Sequence, residues 1–589
     1  MSNHPSTLSR RQLLAAAGAL SSLAPARAAA NPPNIVVILA DDQGWGDLSV
    51  HGNSNLSTPN IDSLARDGAL FDRFFACSVC APTRAEFLTG RYHPRAGVRG
   101  VTTGAERLNL DESTIAQTFR QSGYSTAAFG KWHNGSQAPY HPNSRGFDEY
   151  YGFTSGHWAH YFDTEIDHNG SLTRGRGYIV DDLTDHALQF IRRNRRRPFF
   201  CYLPFCTPHS PMQVPDRFYE RFASVNPKLL NRDPKREDLP MTRAALAMCE
   251  NIDWNVGRVL SELDRSGLAR DTIVVYFSDN GPNSWRWNGG MKGRKGQLDE
   301  GGLRVPMLMR WPGHIPAGRR IPHIASAIDL RPTLASLAGI PVAANKPLDG
   351  LNLQPLLSGE SSAWPDRLIF SMHSRRTSVR SQRYRLDPAG ALFDMQEDPG
   401  QDRDVAAQRP DVAARLEKAR KQWEAEMLPL VGPDDRPFPA GHSRVTLLPA
   451  RDAVPEGGIK RSSIHPNSTF FTNWISKDDR ISWDIEIGRA GLFEAVVYYT
   501  CPPGQTGSTI EISFNGAAVS AKVAPAHNPP LIGEAEDRAK RTEGYFKRFR
   551  PLKLGNINLA QGRGKLTLRA VDIAATEVAD IRYVALTRK

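Results

Sequence analysis

The chain has 589 residues, 40% hydrophobic and 23% charged, the balance of a folded protein of about two to four domains and not of a fibrous or disordered one. Its 74 Lys and Arg outnumber 62 Asp and Glu, a formal net charge of +12, which favours polyanionic partners. The basic residues are dispersed and no zinc-finger or RNA-binding motif accompanies them, which argues against nucleic acid, and no internal apolar run is long enough for stable membrane insertion.

Residues 1–30 read as an export signal. Ser9-Arg10-Arg11-Gln12-Leu13-Leu14 is a twin-arginine pattern, an Ala-rich apolar stretch follows to Leu23, and Ala26-Arg27-Ala28 has the small-x-small form of a cleavage site. The alternative is an unstructured Ala-rich tail. Export by this route predicts a periplasmic or secreted bacterial protein. From residue 34 the pattern is α/β. Continuous apolar runs at 34–40, 125–130, 199–205 and 272–278 suit strands covered on both faces, and helical patterns at 61–67, 114–122, 183–193 and 243–266 alternate with them. Polar residues follow each strand: Asp41-Asp42, Lys131-Trp132-His133, Thr207-Pro208-His209 and Asp279-Asn280. Ligands bind beyond the carboxyl ends of strands in open α/β sheets, so the four clusters are expected to converge.

Past residue 340 short strands and turns precede a helix at 411–427, and 431–442 is Pro- and Gly-rich like a linker. The remainder alternates in period two. Ile481, Trp483, Ile485 and Ile487 share one face, and Asn515-Gly516 marks a hairpin, together predicting a β-sandwich. The six cysteines make no dense disulfide scaffold; Cys201 and Cys206 either pair or are buried apolar residues, and Cys77 and Cys80 have redox spacing without a thioredoxin-like setting.

Asp41, Asp42, Asp279 and Asn280 offer three carboxylates and an amide oxygen, hard ligands suited to calcium or magnesium, although either pair alone serves equally as a helix cap. The segment 80–89 reads as a helix with Pro82 in its first turn and Gly90 just past its end. Cys80 then sits where a helix favours an anion, with Arg84 one turn on; a structural thiol is the plainer alternative.

The stretch CAPTRAEFLTGR at 80–91 resembles the sulfatase signature C-x-P-S/T-R-x-x-x-L-T-G-R. The likeness continues through DDQGWGD at 41–47, TPNID at 58–62, GKWH at 130–133, RGFDEYYGF at 145–153, TPHSP at 207–211, SDNG at 278–281, KGQLDEGGLRVP at 295–306 and IDLRPTLASLAGI at 328–340. The resemblance implies an α/β, alkaline-phosphatase-like fold, a mostly parallel sheet sandwiched by helices over 31–340. A small C-terminal subdomain at 341–435, a linker at 436–444 and an appended all-β sandwich at 445–589 complete the expected organisation.

It further implies an exported, calcium-dependent sulfuric ester hydrolase acting on a sulfated carbohydrate or aryl sulfate. Cys80 would be oxidised to formylglycine by a maturation enzyme, and its gem-diol would attack sulfur. Asp41, Asp42, Asp279, Asn280 and modified residue 80 would bind one calcium ion. Arg84 and Lys131 would hold the formylglycine, His133 would act as its base, and His209 and Lys295 would contact the sulfate and leaving oxygen. Thr83 departs from the commoner serine, and Asn134 stands where leucine often follows GKWH. Three rival readings are a phosphoester or phosphonate hydrolase on the same fold, a catalytically dead carbohydrate-binding protein, and a redox protein using Cys77 and Cys80. The β-sandwich resembles carbohydrate-binding modules more loosely. Its basic stretch, Lys540, Arg541, Lys547, Arg548, Arg550 and Lys553 among Tyr545, Phe546 and Phe549, is a candidate surface for a sulfated chain.

Overall fold

The computed structural model describes residues 32–342, 344–360 and 364–589; the twin-arginine segment lies outside them. Eleven strands form the main sheet among these residues: β1 (Asn34–Asp41), β2 (Ala69–Phe75), β3 (Ser125–Lys131), β4 (Glu149–Phe153), β5 (Glu165–His168), β6 (Ser171–Arg174), β7 (Phe199–Pro208), β8 (Thr272–Ser278), β9 (Arg304–Val305), β10 (Met307–Arg310) and β11 (Arg319–Ser326). The order is β11-β2-β10-β8-β1-β7-β3-β4-β5-β6, with β9 pairing on β2. The centre, β8-β1-β7-β3-β4, is parallel, as the unbroken apolar runs require. β10 is antiparallel to both its neighbours, and the β4-β5-β6 edge is antiparallel.

Every residue of β1, β7 and β8 is buried, because helices cover both faces. One face packs Val36 and Ile38 against Leu183, Ala187 and Val256 of the helices Ile179–Arg193 and Leu239–Arg265. The other packs Ile35, Val37 and Leu39 against Phe87, Leu88, Phe119 and Leu334. A four-stranded antiparallel sheet, Ile369–His373 to Leu392–Asp394, follows, and the helix Pro410–Met427 lies on it through Leu416.

Two six-stranded sheets make up the C-terminal sandwich, with Trp474, Trp483, Ile481, Ile485 and Ile487 in its core. Period-two alternation had put Trp483 inward, and it is fully buried. Asn515 and Gly516 take φ of 46° and 89° between Thr509–Phe514 and Ala517–Lys522, the left-handed pair a two-residue hairpin needs. Phe438–Ala440, within the stretch expected to be a linker, is a strand pairing in parallel with Arg480–Ile487; short strands of three residues leave too little pattern to read.

The sandwich is closely joined to the α/β portion. Gln213 donates to Gly533 O (2.7 Å) and Asp537 (2.9 Å), Arg541 donates to Ala159 O (2.6 Å), and Arg538 N donates to Met212 O (2.9 Å). The basic stretch is therefore only in part a free cationic surface. Arg541 is buried and bound to Asp537, Lys547 pairs with Asp580 at 2.7 Å, and Lys553 pairs with Glu494 at 2.5 Å.

Candidate active site

The helix Cys80–Thr89 is buried along its whole length and closed by Gly90 at φ 70°. Cys80 occupies its first position after extended Val79. Thr83 fixes this turn to the sheet: its hydroxyl donates to Asp279 O at 2.6 Å and accepts from Cys77 N at 2.8 Å. A hydroxyl is what the position needs, and threonine supplies it as serine would.

The strand ends do converge. Asp41 closes β1, and Asp42, at φ 66°, turns the chain so that both carboxylates enter the site. Asp279 and Asn280 follow β8, and Asp42 N donates to Asp279 Oδ1 at 3.1 Å. Potential ligand atoms of Asp41, Cys80 and Asp279 lie within 4.8 Å of one another, and so do a carboxylate oxygen of Asp42, the Cys80 sulfur and a ring nitrogen of His209. Three cations neutralise the three carboxylates. Arg84 donates to Asp279 at 2.7 Å and to Lys131 O at 2.8 Å, Lys131 Nζ donates to Asp41 at 2.7 Å, and Lys295 Nζ meets Asp42 at 2.7 Å.

Burial alone would raise the Asp41 carboxyl, but Lys131, His209, Arg84 and Lys295 together hold it well below the usual carboxylate range. Burial and then the charge of Asp41 push Asp279 up to about 7. Among Asp41, Asp42, Asp279 and Asn280, two buried oxygens have no hydrogen-bond partner, Asp41 Oδ1 and Asn280 Oδ1. Orphaned buried acceptors are costly, and two of them beside a carboxylate cluster match the donor set of a hard divalent cation.

His133, at φ 64° after β3, donates through Nε2 to Val101 O at 2.7 Å, leaving Nδ1 buried without a partner. Burial, then Lys131, holds its pKa well below the ordinary imidazole value, so the ring is neutral with an available lone pair on Nδ1. His209 donates through Nδ1 to Ser210 O at 2.7 Å and brings Nε2 within 3.6 Å of Asp42. Asn134 is buried and donates to Ala81 O and Glu106 O, both at 3.2 Å, so the departure from leucine ties the end of β3 to the first turn of the Cys80 helix.

All ten residues singled out in the sequence therefore meet in one place. Three neighbours were missed. His157 stacks on His209 with ring centroids 5.9 Å apart. It follows β4, and the strand-end rule that found the other clusters would have reached it. Asn467 donates to His157 at 3.2 Å, and Glu543 accepts from the Ser210 hydroxyl. Both come from the β-sandwich, more than 300 residues away in sequence, and no sequence signal marks them.

Residues 33–340 match the family model for the sulfatase domain, and 294–426 match that for the C-terminal region of N-sulphoglucosamine sulphohydrolase. Mouse (Mus musculus) N-acetylgalactosamine-6-sulfatase is 34% identical over 402 residues, covering 61% of this chain and 72% of that protein. Human (Homo sapiens) arylsulfatase A is 34% identical over 399 residues, covering 61% and 74%. The crystal structure of Ps i-CgsB in complex with k-i-k-neocarrahexaose is similar at 31% identity and a TM-score of 0.61, covering 67% of this chain and 94% of that one.

Proposed function

Since the chain belongs to the sulfatase family, a family of sulfuric ester hydrolases, we propose that it is an exported, calcium-dependent enzyme that removes sulfate from a sulfated carbohydrate through formylglycine at position 80. The observation that carries this reading is the pair of orphaned oxygens, Asp41 Oδ1 and Asn280 Oδ1, beside Cys80 at the start of a buried helix. The sugar substrate is supported by the N-acetylgalactosamine-6-sulfatase relative and by the carrageenan-type oligosaccharide bound in the related structure. The twin-arginine pattern at 9–14 supports export, and no helix among the described residues is long and apolar enough to cross a membrane.

As a thiol, Cys80 is a poor nucleophile: burial pushes it up to about 12 against the pull of Lys131 and Lys295. Cys77 is likewise buried and raised by burial, and both are free, so a redox role for the pair finds no support. Conversion of Cys80 to formylglycine would supply, as the hydrated aldehyde, one hydroxyl to attack sulfur and a second whose deprotonation expels sulfate. Asp41, Asp42, Asp279 and Asn280 would hold calcium with an oxygen of residue 80, and the bound ion would supply Lewis acidity and positive charge.

The side chains of this protein do the rest. Arg84 and Lys131 fix the carboxylates and the position of residue 80. Lys295 is held as an ammonium by Asp42, which overcomes the lowering by burial, and stabilises negative charge on the transferring group. His209, whose Nδ1–H is held on Ser210 O, would give a proton to the leaving oxygen through Nε2 as the imidazolium, the form that the charge of Asp42 favours against the lowering by burial. His133 takes a proton through Nδ1 as the sulfated intermediate breaks down. Peptide mass spectrometry should find an aldehyde in place of the residue 80 thiol, and Cys80→Ala should lower turnover of an aryl sulfate by at least about 10³-fold with the fold intact. Full activity in protein carrying only unmodified Cys80 would falsify the mechanism.

A further inference from the structure

Two adjoining cavities lie where the β-sandwich meets the α/β portion. The first, about 450 Å³, is walled by Trp158, Phe546, Tyr583, Arg582, Arg444 and Asn467, a size within the range of small-ligand sites. The second, about 1050 Å³, continues past Tyr498, Phe549 and Arg548. Arg582, Phe546, Tyr583 and Leu172 line both.

The first cavity lies beside the active site and shares a wall with it, although none of the ten site residues lines the cavity itself. Asn467 lines it and also donates to His157, the ring stacked on His209. Ser155 lines it too, and its neighbour Gly156 lies against His133 and Asn467, where an added Cβ would come within 2.6 Å and 2.8 Å of their side chains. The wall is aromatic and ordered: the Arg582 guanidinium lies over Phe546 (4.8 Å), Tyr583 (5.7 Å), Trp158 and Phe549 (both 5.9 Å) and pairs with Glu165 at 3.1 Å. The Ser468 hydroxyl, also in the wall, is buried without a hydrogen-bond partner. The rims carry charge of both signs: Glu165 lines both cavities, Asp167 the first, and Asp163, Glu534 and Glu536 the second. Arg444 on the first cavity and Arg548 on the second are exposed, and among the described residues neither pairs with a carboxylate. Flat aromatic faces suit the C–H faces of pyranose rings, an orphaned hydroxyl suits a sugar hydroxyl, and unpaired guanidinium groups suit sulfate.

We propose that the two cavities form one cleft that holds the sugar residues adjoining the sulfated one, so that a sulfated oligosaccharide is engaged along its length between the β-sandwich and the catalytic portion. The inference rests on the carbohydrate reading above. The sandwich is then a wall of the substrate site and not a tethered binding module.

The test uses the full-length enzyme, hexasaccharides prepared from carrageenan, chondroitin sulfate and fucoidan with their shorter homologues, and a small aryl sulfate. Rates should rise with chain length. Arg444→Ala with Arg548→Ala should raise KM for the preferred hexasaccharide about tenfold while leaving kcat and aryl sulfate hydrolysis unchanged. Leu172→Glu, on an exposed hairpin strand, should act in the same direction by placing an anion in the cleft. Rates independent of chain length, or equal losses on both substrates, overturn the proposal. Direct titration of the hexasaccharides into the Cys80→Ala enzyme separates the two readings. Binding lost in Leu172→Glu but without hydrolysis by the active enzyme supports the cleft and removes the substrate assignment. Hydrolysis of a monosaccharide sulfate with no hexasaccharide binding does the reverse.

Discussion

Calcium binding should release a proton, and the amount should depend on pH in a way set by Asp279. The carboxyls of Asp41 and Asp279 face the same space with Cys80 between them. Lys131 and Arg84 pin Asp41 in the anionic form, while burial and the charge of Asp41 push Asp279 up to about 7. Below that value the metal-free site holds a proton that a divalent cation must displace. A group of that pKa is about 0.9 protonated near pH 6 and about 0.1 near pH 8. Calorimetric titration in two non-chelating buffers of different ionisation enthalpy should therefore give about 0.9 protons released at the lower pH and about 0.1 at the higher. Apparent calcium affinity should fall about tenfold for each pH unit below 7.

The stability linkage has the matching sign. A carboxyl raised in the folded state contributes stability that is fully present below its unfolded value of 3.8 and is lost as pH rises through about 7. The metal-free protein should accordingly lose stability over that window, and calcium should raise Tm more at pH 8 than at pH 5. Asp279→Asn should abolish the proton release and weaken binding. Tight calcium binding with no proton release near pH 6 would show that Asp279 is not the titrating ligand.

Two further substitutions probe the scaffold that holds the site. Thr83→Val keeps the shape but leaves Cys77 N and Asp279 O buried without the hydroxyl that serves both, a loss of about 2–5 kcal/mol, whereas Thr83→Ser should cost no more than about 1 kcal/mol; scanning calorimetry should separate the two, and equal Tm values would remove the hydroxyl from the account. Gly130 sits at φ 141° with an added Cβ only 1.9 Å from Pro204 O, so Gly130→Ala should displace Lys131 and His133 and abolish activity even where the protein stays folded by circular dichroism; a near-normal rate would mean that the strand end tolerates movement.

The parts of this protein legible in the sequence are those in which one short segment carries its own physics. Strands buried on both faces must be apolar throughout, so β1 and β8 were readable to within a residue of their ends, while β7 runs on to Pro208, past the 205 at which its apolar run stops. The Cys80 helix announced its boundaries through Pro82 and Gly90. The carboxylates and cations that meet at the site followed from the strand-end rule and from the resemblance. Register and edge direction were not legible: nothing in Met307–Arg310 distinguishes a strand antiparallel to both neighbours from one more parallel member of the sheet.

The larger gap concerns what the β-sandwich is for. Alternation in Arg480–Ile487 encodes burial against the opposing sheet, so it predicts a domain with its own core and says nothing about what the loops touch. Those loops make the contacts that matter. Asn467 between two short strands and Glu543 between Ala517–Lys522 and Arg550–Leu559 reach the two histidines and the Ser210 loop. Loops carry no periodicity, and three of the six cations that suggested a glycan surface are spent on ion pairs: Arg541 with Asp537, Lys547 with Asp580, Lys553 with Glu494. Of the cations outside these pairs, Arg548 of that stretch and Arg444 line the aromatic-walled cavities, a smaller and more directional set. In the proposed cleft a substrate that reaches them would extend away from the sulfated sugar, so the appended domain would act on which substrate is accepted while the sulfate chemistry would stay with the residues of the strand ends.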